Sequence, residues 1–340
     1  MPRPRRCQRA RSNRRLDAAS KRTARYSSKN CRYRRHHAIV DYHSSEGRTT
    51  RAAITFARIA LLLIAPAVAG TALFAQRGQS QDPDWKPRIW VGGGRFYREP
   101  PKWAKASDFD GQFNYCRGYY ESSRREAGGS GWNTDYPGAD NNFSVRLAEL
   151  SLVRIKLAPD GQPDYVVVRL DDPLLTRCPM LFMEDAGTAR FADTEVLGLR
   201  NYLLKGGFMT VDDFWGTDAW DQWAEEIGRV LPPGQYPIFD IPLDHPIMHT
   251  LYDVKAIEQV SSIQFWYRSG GSVSERGPDS PHPNFRGIAD EKGRLMVVMA
   301  HNTDIPDTWE REGENRDYFD RFSPEGYAIG VNFILYAMTH

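Results

Sequence analysis

An α/β domain in three layers, with a mainly parallel sheet between two sets of helices, is the fold class that three features of this 340-residue chain predict. The first is a set of four runs that are apolar on successive residues: Tyr165 to Val168, Met180 to Met183, Phe208 to Val211 and Leu295 to Met299. Strands of that kind are covered on both faces, which is the condition of a parallel sheet. The second is helical spacing between and after the runs, and the third is their strand, helix, strand, helix rhythm.

The N-terminal part has a different character. Of the 45 Lys and Arg, 17 precede residue 59, against only 3 of the 43 Asp and Glu, which leaves 28 basic and 40 acidic residues for the rest. Residues 2–35 are dominated by Arg and carry almost nothing apolar, and residues 1–50 are expected to be a disordered basic extension or a misassigned start. No Met follows Met1 until Met180, so a shorter product would need another start codon, as at Val40. Residues 51–75 hold Arg51 and Arg58, then the apolar run Ile59 to Ala65, Pro66, and small residues at Ala67-Val68-Ala69 and Ala75. A positive flank, a short apolar core and a small-residue exit describe a signal peptide; an N-terminal membrane anchor over residues 59–75 is the alternative. Both readings export the acidic domain to the periplasm or the extracellular space. Residues 76–107 read as a linker leaning on the domain through Trp85, Trp90 and Trp103.

Within 108–340 the elements follow in order. Asp193 and Glu195 open a helix that carries Val196, Leu199 and Leu203 inward and stops at Gly206-Gly207. Thr217 or Asp218 caps the next, whose Trp220, Trp223, Ile227 and Val230 form one stripe ended by Pro232-Pro233. Ser323-Pro324-Glu325 is expected to open a final helix, apolar nearly all round through Tyr336 and therefore buried, with Asn332 satisfying an internal hydrogen bond. Cys116 and Cys178 are the cysteines of the exported part, either as one disulfide or as two buried thiols; no metal-ligand spacing suggests zinc.

Phe113 to Arg117, Trp132 to Pro137, Ala139-Asp140, Asn142-Phe143, Gly206-Gly207-Phe208 leading to Asp212 to Gly216, His245-Pro246, and His301 to Asp304 together resemble the bacterial exported family called domain of unknown function 4159. The resemblance runs over roughly 108 to 340 and implies a flavodoxin-like sandwich, similar to class I glutamine amidotransferase and ThuA-like folds. It implies no activity. A glutaminase of that fold needs a cysteine at a strand-to-helix turn. The turn after Val211 offers Asp212-Asp213-Phe214-Trp215-Gly216 instead, which argues against thiol amide transfer.

Ligands of open parallel sheets sit beyond the C-terminal ends of the strands. There the sequence places Asp171-Asp172, Glu184-Asp185, Asp212-Asp213, and His301, Asn302 and Asp304. Carboxylates crowded into one cleft need a cation among them, and oxygen ligands favour Mg or Ca. Asp213 and His301 are the candidate catalytic pair, and Arg117, Asp185, Asp212, Trp215, Asn302 and Asp304 the candidate ligand-binding set. Each has a structural counterpart reading: acids as helix caps, Arg117 as a salt bridge. His245 and His249 read as turn residues, and the Gly- and Pro-rich segment 269–286 as a lid that receives an anion through Arg276 and Arg286. The leading expectation is an exported domain binding a small molecule or glycan at this edge. A metal-assisted hydrolase using His301 as base, and a scaffold in an envelope complex, are the alternatives. Because the folded part is acidic, nucleic acid is not an expected partner, and the membrane is reached through the N-terminal segment alone.

Overall fold

The computed structural model describes residues 88–89 and 99–340. The basic extension, the segment 51–75, Trp85 and Trp90 lie outside the described residues. Among the described residues there are nine strands: β1 (Tyr115–Tyr119), β2 (Glu121–Ser122), β3 (Tyr165–Arg169), β4 (Leu181–Glu184), β5 (Ala189–Arg190), β6 (Met209–Phe214), β7 (Phe239–Asp240), β8 (Asn284–Ala289) and β9 (Leu295–His301). Seven form one sheet in the order β3-β1-β4-β6-β9-β8-β7, while β2 and β5 pair separately. The first five run parallel, and β8 and β7 add an antiparallel edge. All four apolar runs lie within or overlap strands of the parallel part.

Numbered along the chain, the parallel strands stand 2-1-3-4-5. The connection out of β1 therefore goes one way and all later ones go the other, so the order reverses between β1 and β4.

Among the described residues six α-helices accompany the sheet: α1 (Gly138–Leu150), α2 (Asp193–Leu204), α3 (Gly216–Val230), α4 (Ile263–Ser269), α5 (Asp307–Glu310) and α6 (Arg316–Thr339). Alternate strand residues feed two separate cores, as the pleat requires. Leu181, Met183, Val211 and Met299 pack with Leu199 of α2 and Trp223 and Ile227 of α3. Met180, Phe182 and Val298 pack with Phe143 of α1 and Val331 and Ile334 of α6. Helices thus cover both faces.

Three boundaries differ from the sequence expectation. Helix α6 starts well before Ser323, because Asn315 accepts from Tyr318 N at 2.8 Å and caps it, and Pro324 is carried inside the helix. Helix α3 begins at Gly216, with Asp279 taking the Thr217 amide at 3.0 Å and its hydroxyl at 2.6 Å. The tail of the expected lid, from Asn284, is a strand: its half-buried alternation pairs with β9 from Asn284↔His301 to Ala289↔Leu295.

Cys116 and Cys178 form a disulfide across a separation of 62 residues, with Cα atoms 5.9 Å apart. Residue 103 forms a parallel bridge to Val167, with Ala104 N donating to Val167 O and Val167 N to Lys102 O, so the end of the linker lies along β3. Among the described residues no helix is long and apolar enough to cross a membrane. Asn332 accepts from Leu251 N and Tyr252 N, both at 2.9 Å, inside the apolar helix as expected.

Candidate functional site

At the C-terminal edge of the sheet the backbone is unusual in four places. Asp135, Asp185, Asp213 and Asn302 have φ of 57°, 48°, 50° and 63°, the left-handed region that L-residues with a Cβ seldom occupy. Asp213 sits where β6 loses register with β9 between Val211 and Phe214. The extra residue of such a bulge re-aims its neighbours, so Asp212 and Asp213 engage different partners. Asp212 accepts from Ile305 N at 3.0 Å and from Asp213 N at 2.7 Å, tying β6 to the loop after β9. Asp213 accepts from Trp215 Nε1 at 2.9 Å.

Several candidate residues are fully used by the fold. The Arg117 guanidinium is 1 % exposed and donates to Asp140, Glu184, Trp132 O and Thr134 O, which leaves it no donor for a ligand. Asn302 accepts from Gly216 N at 2.8 Å and donates to His282 O at 3.1 Å, so it joins the start of α3 to the segment before β8. The indole of Trp215 is buried and is no open platform for a sugar face. His301 faces α3 and β8: Nε2 meets Gly216 O at 3.0 Å, Asn284 approaches Nδ1 at 3.5 Å, and the ring lies against Phe214 and Trp220. Burial lowers His301 to about 4, so the ring is neutral at pH 7, and its charged neighbours are Arg286 and Asp279 rather than the acids beyond β6. His245 accepts from Ile247 N at 3.2 Å, and His249 is shared between Asp253 and Leu243 O. Both are turn residues.

The acids do converge, on residues that the sequence reading had not singled out. Carboxylate oxygens of Asp135, Asp307 and Glu310 lie within 4.8 Å of one another. Asp304 supports the short helix α5 by accepting from Asp307 N at 3.0 Å. Asp307 accepts from Ile263 N at 2.6 Å and Tyr318 Oη at 3.2 Å. Asp135 Oδ2 is buried and accepts no hydrogen bond from any described residue, whereas Glu310 Oε2 is ion-paired with Arg311 Nε.

Two unit charges 4.8 Å apart repel by about 3–4 kcal/mol even at an effective dielectric of about 20, so three carboxylates cannot all stay ionised without a counter-charge. Burial, then neighbouring acids, raises Asp213, Asp304 and Glu310 well above the usual carboxylate range. Burial lifts Asp135 to about 6 and Asp307 to about 8, each against the pull of Arg311. Burial likewise lifts Asp185 to about 7, while its bond from Gly131 N opposes the rise. Asp135 and Asp185 each push Asp213 up, and Asp213 and Asp135 push Asp304 up, so these acids lie within electrostatic reach of one another, whereas the charged neighbours of His301 are Arg286 and Asp279.

The segment 269–286 does lie beside this edge, but it contributes the opposite charge from the one expected. Glu275, held by Ser262 N at 2.9 Å, pushes Asp213 up further. Arg276 donates to Ala127 O, and Arg286 stacks over the Trp220 ring at 4.0 Å. Arg276 also pairs with Glu275 and Arg286 with Asp240, so both cations are engaged within the protein.

Fold and site together define an α/β domain with a mostly parallel seven-stranded mixed sheet and a carboxylate cluster beyond its C-terminal edge. The model of the family described as domain of unknown function (DUF4159) matches residues 122–338, and the chain belongs to that family. No curated protein matches the chain.

Proposed function

We propose that this is an exported domain whose C-terminal sheet edge binds a hard divalent cation, Mg or Ca, through Asp135, Asp307 and Glu310. The observation that carries the reading is the set of three carboxylates within 4.8 Å, with Asp135 Oδ2 buried and unpartnered among the described residues and Arg311 the cation that an ion would displace from Glu310. The donors are oxygens alone, with no His or Cys among the three, which selects Mg or Ca over zinc or copper. Asp213 and Asp304 stand next to the ion and stabilise it electrostatically. The 2-1-3-4-5 order supports a flavodoxin-like, doubly wound topology, in which ligands gather at this edge. Export is supported by the disulfide, which suits an oxidising compartment, and by the apolar run from Ile59. Binding is favoured over metal-assisted hydrolysis because His301, the base that hydrolysis would use, has its Nε2 engaged with Gly216 O and its ring packed against Phe214 and Trp220, away from the carboxylate cluster.

Thermal unfolding of the full chain with added CaCl2 or MgCl2 tests this. A cation at about 100 times its Kd stabilises by about 2.7 kcal/mol, a shift of several degrees. That shift is expected to vanish in Asp307→Asn plus Glu310→Gln. Equal melting with and without either ion would remove the proposal.

A further inference from the structure

A cleft of about 580 Å³ opens beyond β1, lined among others by Tyr119, Glu121, Ser122, Arg125, Trp132 and Asn133. Its volume falls in the range of small-molecule sites, and it lies next to the reversal of strand order between β1 and β4, where doubly wound sheets receive ligands.

The lining is chemically specific. The rings of Tyr119 and Trp132, both half-buried, stand 5.4 Å apart at an angle of 46°. They are braced from the protein side, Tyr119 by the Arg169 guanidinium at 4.8 Å and Trp132 by Tyr136 at 5.4 Å. The side chains of Arg125 and Asn133 bond to no other described residue. Glu121 accepts from Tyr119 Oη with one oxygen and keeps the other free among the described residues.

A phosphate or nucleotide fits poorly. The Gly-rich loop 128–131 has already committed amides that would cradle an anion: Ser130 N donates to Thr134 Oγ1 at 2.9 Å and Gly131 N to Asp185 at 2.7 Å. Glu99 and Glu121 also share the cleft with the lone lining cation, Arg125. What remains is two ring faces, guanidinium and amide donors and a carboxylate acceptor. A polyhydroxylated ring satisfies all of them, because its C–H face stacks on an aromatic while its hydroxyls both donate and accept.

We propose that this cleft is a binding site for a short neutral oligosaccharide. The site is separate from the carboxylate cluster of Asp135, Asp307 and Glu310 and does not require a cation there.

Calorimetric titration of the full chain with cellotriose, maltotriose and chitotriose, and with inorganic phosphate in parallel, tests the assignment. At least one trisaccharide is expected to bind, and Arg125→Ala and Asn133→Ala are each expected to weaken it about tenfold while leaving the melting temperature and any cation response unchanged. Trp132→Ala is expected to abolish it. No binding by any of the three sugars at about 10 mM, well above the weak affinities expected of such a site, overturns the proposal. So does sugar binding that both polar variants leave intact, or phosphate binding that Arg125→Ala removes. Loss of the cation response in Asp307→Asn with sugar binding retained separates the two sites.

Discussion

Arg117 illustrates how a charge inside a sheet is tolerated. It occupies a β1 position where the neighbouring strands offer apolar residues, and it remains there because Asp140 and Glu184 neutralise it and two carbonyls take its remaining donors. Removing one partner of such a group leaves the others buried and unpaired, which costs about 3–5 kcal/mol. Arg117→Met is therefore expected to lower the unfolding free energy, read from urea denaturation, by that much. Asp307→Asn should behave oppositely in cation-free protein. With the carboxyl raised to about 8 by burial, the neutral amide relieves repulsion, and stability at pH 8 should hold or rise by up to about 1 kcal/mol. The chain offered a signal for this residue that the strand-tip reasoning passed over. Asp304, Asp307 and Glu310 recur every third residue, a spacing that sets carboxylates along one side of a helical turn. Asp135 had no comparable signal, since its approach depends on the loop before α1 folding over the edge.

Among the elements, those with an apolar period were legible and those with buried polar faces were not. The four apolar runs mark β3, β4, β6 and β9, whereas β1 is interrupted by Arg117. Helix α1 buries Asp140, Asn141, Asn142 and Ser144 alongside Phe143 and Leu147, so its inward side does not look apolar in sequence. Its tight contact with α6 is also invisible there. A Cβ at Gly330 would stand 2.6 Å from both Phe143 and Trp309, closer than packed atoms approach. Gly330→Ala is expected to cost about 1–3 kcal/mol through overpacking, read from chemical denaturation. The disulfide joins β1 to the turn before β4, closing 62 residues. Cys116→Ala with Cys178→Ala should lose about 2–4 kcal/mol, largely by freeing the unfolded chain.

For the molecule as a whole, the buried acids set the pH response. Their folded pKa values lie above the unfolded ones, so the folded state binds more protons between an ordinary aspartate's 3.8 and the value of about 8 reached by Asp307. Stability from these groups is complete below the unfolded value and is lost as pH climbs toward 8. Melting of the cation-free protein should fall across that window, and the increment from added Ca or Mg should widen over the same range, as the ion displaces protons. A flat profile would mean that the cluster is already neutralised. The far border of the sheet carries a different consequence. Because Lys102, Trp103 and Ala104 run alongside β3 and take up its Val167 backbone groups, part of that rim no longer presents a free template. A chain shortened to begin after Ala104 would bare it, and such a fragment should polymerise edge to edge on concentration, whereas the longer chain stays monodisperse.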